Sequence, residues 1–309
     1  MKINFIDRKR IIKLGLIGAG QWGKNYIKTI EKSDDISLLA ISSNNEKTKD
    51  IIPTYCHLFK DWREMIKLDD LDGIIVSSPT FSHYEICKEL LNINIPILAE
   101  KPLSTKIKEV EKLLKICDEK KSILMVNYIH LYHMRFQEIL NINKKGSSKK
   151  IINIESESGN YGPFRRDTRA LWDWGVHDVA MMLVLIKEYP VQISSKFLKK
   201  LDDEYRCGEL IEAKFNFSSG SKAKLIFGNL QERKIKKFIA KTNSKTYVYN
   251  PFDKKILNNP IKNIQPLEIC IKEFRRKILQ KDTSLEDMEL SLSITKIINK
   301  IENQLEQNI

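Results

Sequence analysis

Ile12-Lys13-Leu14-Gly15-Leu16-Ile17-Gly18-Ala19-Gly20-Gln21-Trp22-Gly23 is the stretch that decides how the first half of the chain is read. Ile11 to Ile17 is a short apolar run of strand type, and Gln21 to Lys32 carries a helical pattern. Between them Gly18 to Gly23 fits Gly-x-Gly-x-x-Gly. Strand, glycine turn and helix in that order are the context in which this motif cradles a dinucleotide. Gly18 permits the tight turn, Gly20 lets the backbone approach the pyrophosphate, and Gly23 lets helix and strand close up. Gln21 and Trp22 sit at the helix start, where free N–H groups and a partial positive charge favour phosphate.

The alternation continues outward from that turn. Ile36 to Ser42, Gly73 to Ser78, Ile95 to Ala99 and Ser122 to Val126 read as strands, with helical patterns between them. Ser82 and Glu85 have capping-box spacing, which predicts a helix opening at Ser82. Residues 1–126 are therefore expected to form a doubly wound parallel α/β sheet of Rossmann type. Beyond about residue 150 the pattern changes. Ile151 to Glu157, Glu209 to Phe217, Lys222 to Asn229 and Lys236 to Lys241 read as strands. Ile211, Ala213, Phe215 and Phe217 alternate with polar residues, the period of a one-sided antiparallel sheet. Helical runs lie at Arg169 to Lys187 and from Leu285 to about Leu305. Residues 127–309 are expected to form an α+β domain with a mostly antiparallel open sheet.

Composition excludes several classes. With 309 residues and a hydrophobic share of 42%, the chain can bury two ordinary cores. No stretch reaches the roughly 18 uninterrupted apolar residues of a membrane span. Met1 to Arg10 is charged and lacks the apolar run of a signal peptide, so a cytoplasmic location is the expectation. The net charge of +13 is scattered along the chain among 40 acidic residues without a dense basic run. It reads mostly as solvated surface, so no nucleic-acid partner is expected, while such a field can help attract an anionic substrate or cofactor. The five cysteines show no ligand spacing, and His130 and His133 have no second ligand pair beside them, so no metal is expected.

Three further elements carry candidate chemistry. The second-strand acid that holds the ribose hydroxyls of NAD is absent: Ser42-Ser43-Asn44 stands there, which leaves NAD or NADP open and leans slightly to NADP through Ser43. Glu100-Lys101-Pro102 lies at the carboxyl end of a central strand, where Lys101 can hydrogen-bond a reacting hydroxyl; a plain charged strand end is the alternative. Asp173 and His177 are four apart on one helix face. His177 is of the type that takes a proton from an alcohol as hydride leaves, and a structural histidine bridging helices is the alternative.

Together these motifs resemble the Gfo/Idh/MocA oxidoreductases, the glucose–fructose oxidoreductase and inositol dehydrogenase group. The likeness rests on Gly18 to Gly23, Ser78-Pro79-Thr80 to His83, Glu100-Lys101-Pro102 and Asp173-x-Gly175-x-His177, with Leu267 to Ile278 and the closing helix. The resemblance implies that residues 127–309 serve substrate binding and oligomerisation, and that Ser78, Pro79, His83 and Glu100 lie towards the cofactor. It also implies that Lys101 contacts the reacting hydroxyl, Asp173 orients the substrate and His177 is the general acid/base. Trp172 to Asp178 and Gly20 to Asn25 are similar to members acting on nucleotide sugars in surface-polysaccharide pathways. Tyr161, Arg165, Arg166 and Arg169 precede or open the Asp/His helix, and the arginines can clamp a diphosphate; a solvated basic loop is the alternative.

The expectation is a cytoplasmic NAD(P)-dependent enzyme, a homodimer or homotetramer, that moves a hydride between nicotinamide and a secondary hydroxyl of a sugar. NAD-assisted glycoside cleavage and a non-catalytic dinucleotide-binding regulator are the competing readings.

Overall fold

The computed structural model describes residues 10–144, 150–164, 168–252 and 264–307. The chain divides into two compact units, Met1–Asn127 with Leu267–Glu289, and Tyr128–Pro266 with Leu290–Ile309.

In the first unit β1 (Ile12–Ile17), α1 (Gln21–Ile30), β2 (Ile36–Ser42), β3 (His57–Phe59), α2 (Trp62–Met65), β4 (Gly73–Val76), α3 (Thr80–Asn92), β5 (Ile97–Glu100), α4 (Ile107–Lys120) and β6 (Leu124–Asn127) follow in order. The six strands pair in parallel, in the order β3-β2-β1-β4-β5-β6. Ile74, Ile75, Val76, Ile97, Leu98 and Ala99 are fully buried, as parallel strands covered on both faces must be. The order reverses between β1 and β4, the switch point outside which open α/β sheets hold ligands. This is the expected doubly wound sheet.

Two expectations change. α3 opens at Thr80, not Ser82. Pro79 stands at its N-cap with φ −59°, and the Ser82 hydroxyl turns back to Pro79 O at 2.8 Å and Ser78 Oγ at 2.8 Å. Proline needs no N–H partner at a helix start, so no capping box is required. The unit also takes a later segment, Leu267–Glu289, that the expected boundary at residue 126 assigns elsewhere. Within it α7 (Pro266–Gln280) seats Phe274 and Ile278 so close to Gly73 that a Cβ there would lie 3.1 Å from each. Arg275 donates to Arg10 O at 2.9 Å and Asp35 O at 3.2 Å. The apolar stripe of α7 is legible in sequence, but not the surface that it covers.

The second unit holds α5 (Met134–Lys144), β7 (Asn153–Tyr161), α6 (Val176–Ile186), β8 (Gln192–Asp202), β9 (Cys207–Asn216), β10 (Lys222–Gly228), β11 (Leu230–Lys241), β12 (Thr246–Tyr249) and most of α8 (Glu286–Gln307). Its sheet runs β12-β11-β7-β10-β9-β8, antiparallel except for the β7–β10 pair. On β9, Ile211, Ala213 and Phe215 are buried on one face, while Glu212 pairs with Lys224 of β10 at 2.9 Å on the other. β8 has no counterpart in the sequence reading. It is an edge strand whose Lys196, Lys199 and Lys200 break the apolar alternation and leave the edge unattractive to another strand.

A buried charge pair fixes α6 to this sheet. Lys236 Nζ of β11 lies 2.8 Å from Asp178, the two side chains being 3% and 0% exposed. The hydroxyls of Ser156 and Ser158 on β7 also donate to the Asp178 carboxylate. Among the described residues no helix is long and apolar enough to cross a membrane.

Lys236→Met should leave the Asp178 carboxylate buried and uncompensated, and cost about 3–5 kcal/mol in denaturant unfolding. Adding Asp178→Asn should restore part of that loss.

Candidate functional site

The glycine turn sits where β1, α1 and β4 meet. Gly18 has φ +96°, and a Cβ on it would stand 2.8 Å from Ser78 N and 2.9 Å from Ser77 O. A side chain is therefore excluded by conformation and by space. A Cβ on Gly23 would lie 2.2 Å from Gly18 O, the close helix–strand approach expected of the third glycine. Gly20 is different: nothing lies within 4 Å of its would-be Cβ. It is exposed, and it is the N-cap of α1 with no side-chain cap and no acid in the first turn. An open backbone face at an uncapped helix start fits a pyrophosphate. Gln21 and Trp22 are exposed beside it.

The other cofactor-side candidates lie along the same carboxyl edge of the parallel sheet. Ser43 follows β2; its N–H donates to Phe59 O at 2.9 Å, and its hydroxyl exchanges with Thr48 Oγ1 at 2.9 Å and receives the Asn45 N–H at 3.2 Å. Ser78 and exposed Pro79 follow β4. His83 on α3 is buried, with Nδ1 3.0 Å from Pro102 O and Nε2 2.8 Å from Ser78 O. It clamps the loop after β4 to the loop after β5. Burial holds its pKa below the ordinary imidazole value, against the two carbonyl contacts, which favour the charged ring. Lys101 is half-buried at the end of β5.

Glu100 has a different setting from Lys101. It is 5% exposed, and its Oε1 accepts from Tyr26 Oη at 2.7 Å and from Asn127 Nδ2 at 2.8 Å. Asn127 also donates to Tyr26 Oη at 2.9 Å. Burial raises the Glu100 pKa despite these bonds. The three residues tie α1, β5 and β6 together beneath the turn. Sequence offered no signal for Tyr26 and Asn127, which are 101 residues apart.

In the second unit the Asp/His element is not one uniform helix. Leu171–Gly175 forms a π-turn that continues into α6, so Asp173 lies in the wide turn and His177 in the first turn of α6. Such turns often accompany functional sites. Gly175 is required because a Cβ would lie 2.9 Å from the Phe227 ring of β10. His177 is 8% exposed, and its ring meets the His130 ring edge-to-face with centroids 5.0 Å apart. His130 Nδ1 is in turn 2.8 Å from Tyr249 Oη, and His133 also meets the Tyr249 ring at 5.1 Å. The His130/His133 spacing was legible in sequence; its partner Tyr249 was not. Among the described residues no group of three or more His, Cys, Asp or Glu is placed to hold a metal.

The proposed diphosphate clamp fares unevenly. Arg169 is engaged by acids: Glu209 at 2.7 Å, Glu302 at 2.9 Å and Glu306 at 3.3 Å. Glu302 also accepts from Trp172 Nε1 at 3.2 Å. The three carboxylates around one guanidinium tie it to β9 and α8. Arg165 and Arg166 lie outside the described residues. Tyr161 ends β7, 60% exposed and edge-on to Phe164 at 5.2 Å.

Comparison with known proteins agrees with this geometry. The family model described as "Oxidoreductase family, NAD-binding Rossmann fold", of the Gfo/Idh/MocA group, matches residues 12–128. Inositol 2-dehydrogenase of Rhizobium meliloti is 23% identical over 190 residues, 60% of this chain and 58% of that protein. UDP-N-acetylglucosamine 3-dehydrogenase of Acidithiobacillus ferrooxidans is 21% identical over 218 residues, 69% of this chain and 66% of that protein. The match thus spans less than two thirds of either relative's length. The crystal structure of GenD2 from gentamicin A biosynthesis, in complex with NAD, superposes with a TM-score of 0.84 at 11% identity. It covers 97% of this chain and 95% of that one, which establishes the shared fold.

Two outcomes follow from the first unit. Gly20→Ala should fold normally, since its methyl meets open space, yet weaken NADH or NADPH binding at least about tenfold, or 1.4 kcal/mol, in a fluorescence titration. Glu100→Gln keeps the acceptor for Tyr26 and Asn127. Because the folded-state pKa of Glu100 is raised, its contribution to stability is present below the ordinary carboxylate pKa and lost as pH rises through the folded value. The urea midpoint of the variant should therefore gain on the wild type as pH rises from the ordinary carboxylate value through the raised one. A constant difference across that range would contradict the assignment.

Proposed function

Residues 12–128 belong to the Gfo/Idh/MocA oxidoreductase family, and from that premise we propose that the protein is an NAD(P)-dependent dehydrogenase acting on a secondary hydroxyl or ketone of a sugar. The observation that carries the reading is that Lys101 directly follows β5 on the same carboxyl edge that holds the open Gly20 turn. The substrate is proposed to be a nucleotide sugar in surface-polysaccharide synthesis. The name of the Acidithiobacillus ferrooxidans relative, a UDP-N-acetylglucosamine 3-dehydrogenase, supports that choice, as does the Trp172 to Asp178 stretch.

The glycine turn, Ser43, Ser78 and Pro79 would hold the dinucleotide, and the nicotinamide supplies a hydride acceptor or donor when bound. Lys101 hydrogen-bonds the reacting hydroxyl and favours its alkoxide character. Asp173 orients the sugar, and His177 accepts the hydroxyl proton during oxidation or returns it during reduction. His83 holds the loops after β4 and β5 in register. With Ser43 in place of an acid, NADP is favoured over NAD. The open face of the second sheet, where Glu155, Glu157, Lys224 and Lys237 line a hollow of about 490 Å³, is the proposed surface for a homodimer or homotetramer.

Lys101→Ala and His177→Ala should each lower kcat roughly a hundred- to ten-thousand-fold, with cofactor affinity within about threefold of wild type. Absorbance of the reduced nicotinamide across a panel of nucleotide sugars measures the first, and fluorescence titration the second. Wild-type turnover in either variant removes that residue from the chemistry. The mass of a copurifying nucleotide decides between NAD and NADP.

A further inference from the structure

His130 lies in a short 3-10 turn, Ile129–Tyr132, 47 residues before His177 in a chain that has only five histidines. The fold brings the two imidazoles to 5.0 Å between centroids at an interplanar angle of 85°. Two imidazolium ions at that distance repel strongly, so the pair titrates as a coupled unit that takes its protons one after the other.

The surroundings differ for the two rings. His177 is 8% exposed, whereas His130 is more open to solvent and has Tyr249 Oη 2.8 Å from its Nδ1. That hydroxyl oxygen can accept an N–H as readily as it can donate. Burial, reinforced by Asp178, keeps the Tyr249 phenol protonated throughout the working range. Other titratable groups lie on the elements packed against the pair. Asp178 is neutralised by Lys236 at 2.8 Å. His133 meets the same tyrosine, and burial together with Arg135 of α5 lowers its pKa. Asp173 lies one turn before His177 on its own element.

We propose that His130 is a positioning residue for His177: it takes the first proton of the histidine pair and leaves His177 neutral, the form able to accept a proton from an alcohol. Tyr249 fixes the orientation of His130 for this purpose. The use of His177 as a base rests on the function proposed above; the coupling of the two rings does not.

The test is an NMR titration of the imidazole resonances in the full chain, assigned by single substitutions. In the wild type His130 should titrate above His177. In His130→Phe, which keeps an aromatic ring against Tyr249, the His177 midpoint should rise by about one pH unit. His130→Gln provides the same comparison should the phenylalanine disturb folding. Tyr249→Phe should lower the His130 midpoint and leave the fold intact. A His177 midpoint that stays put or falls in both His130 variants overturns the proposal. The acid limb of kcat/KM should move upward with the His177 midpoint. If the midpoint moves and the limb does not, the coupling stands and the assignment of His177 as the base fails.

Discussion

The carbonyl oxygen of Gly18 accepts the Ser77 hydroxyl at 2.7 Å, and a methyl group on Gly23 would lie only 2.2 Å from it. One backbone atom thus sets how closely α1 can pack on β1 and how β4 lies beside both. Everything along the carboxyl edge takes its position from that closeness. The uncapped start of α1 faces open space at Gly20. The loops after β4 and β5 are then joined by His83, so Ser78 and Lys101 belong to one rigid rim. Beneath the rim, the buried Tyr26–Glu100–Asn127 bonds keep the helix from sliding along its strand.

In the second unit, successive residues of α6 have opposite tasks. Asp178 points to the sheet and is held by Lys236 and two serines of β7. His177, one residue earlier, turns to the aromatic and histidine cluster of His130 and Tyr249. The buried ion pair limits rotation of the helix, and rotation is the motion that would carry His177 away from its neighbours. Gly175 adds a second restraint by letting β10 approach the π-turn at Phe227. A buried charge pair is often a poor source of stability; here its geometric effect is the larger consequence.

What was legible in the sequence follows from the range of each interaction. The glycine turn, the parallel strands and the Asp173/His177 spacing are local, so their steric and periodic signals survive in a single chain. β8 was hidden because an edge strand rich in lysine shows no apolar alternation. The start of α3 was misplaced because Ser82 bonds backward to Pro79 and not forward into a cap. Arg169 offered a phosphate-binding charge in sequence, but its three acid partners arrive from β9 and α8, 40 or more residues away. The histidine pair across 47 residues is of the same kind, since nothing in either neighbourhood names the other.

The return of Leu267–Glu289 to the first unit bears on how such proteins can be recombined. The dinucleotide-binding half is not a contiguous cassette. A fragment cut after Asn127 would bring Gly73 without the Phe274 and Ile278 side chains that cover it, leaving an apolar seat open to water. Exchange of this half between relatives therefore has to carry two stretches of chain at once. Loss of either stretch strips the other of the apolar surface it packs on.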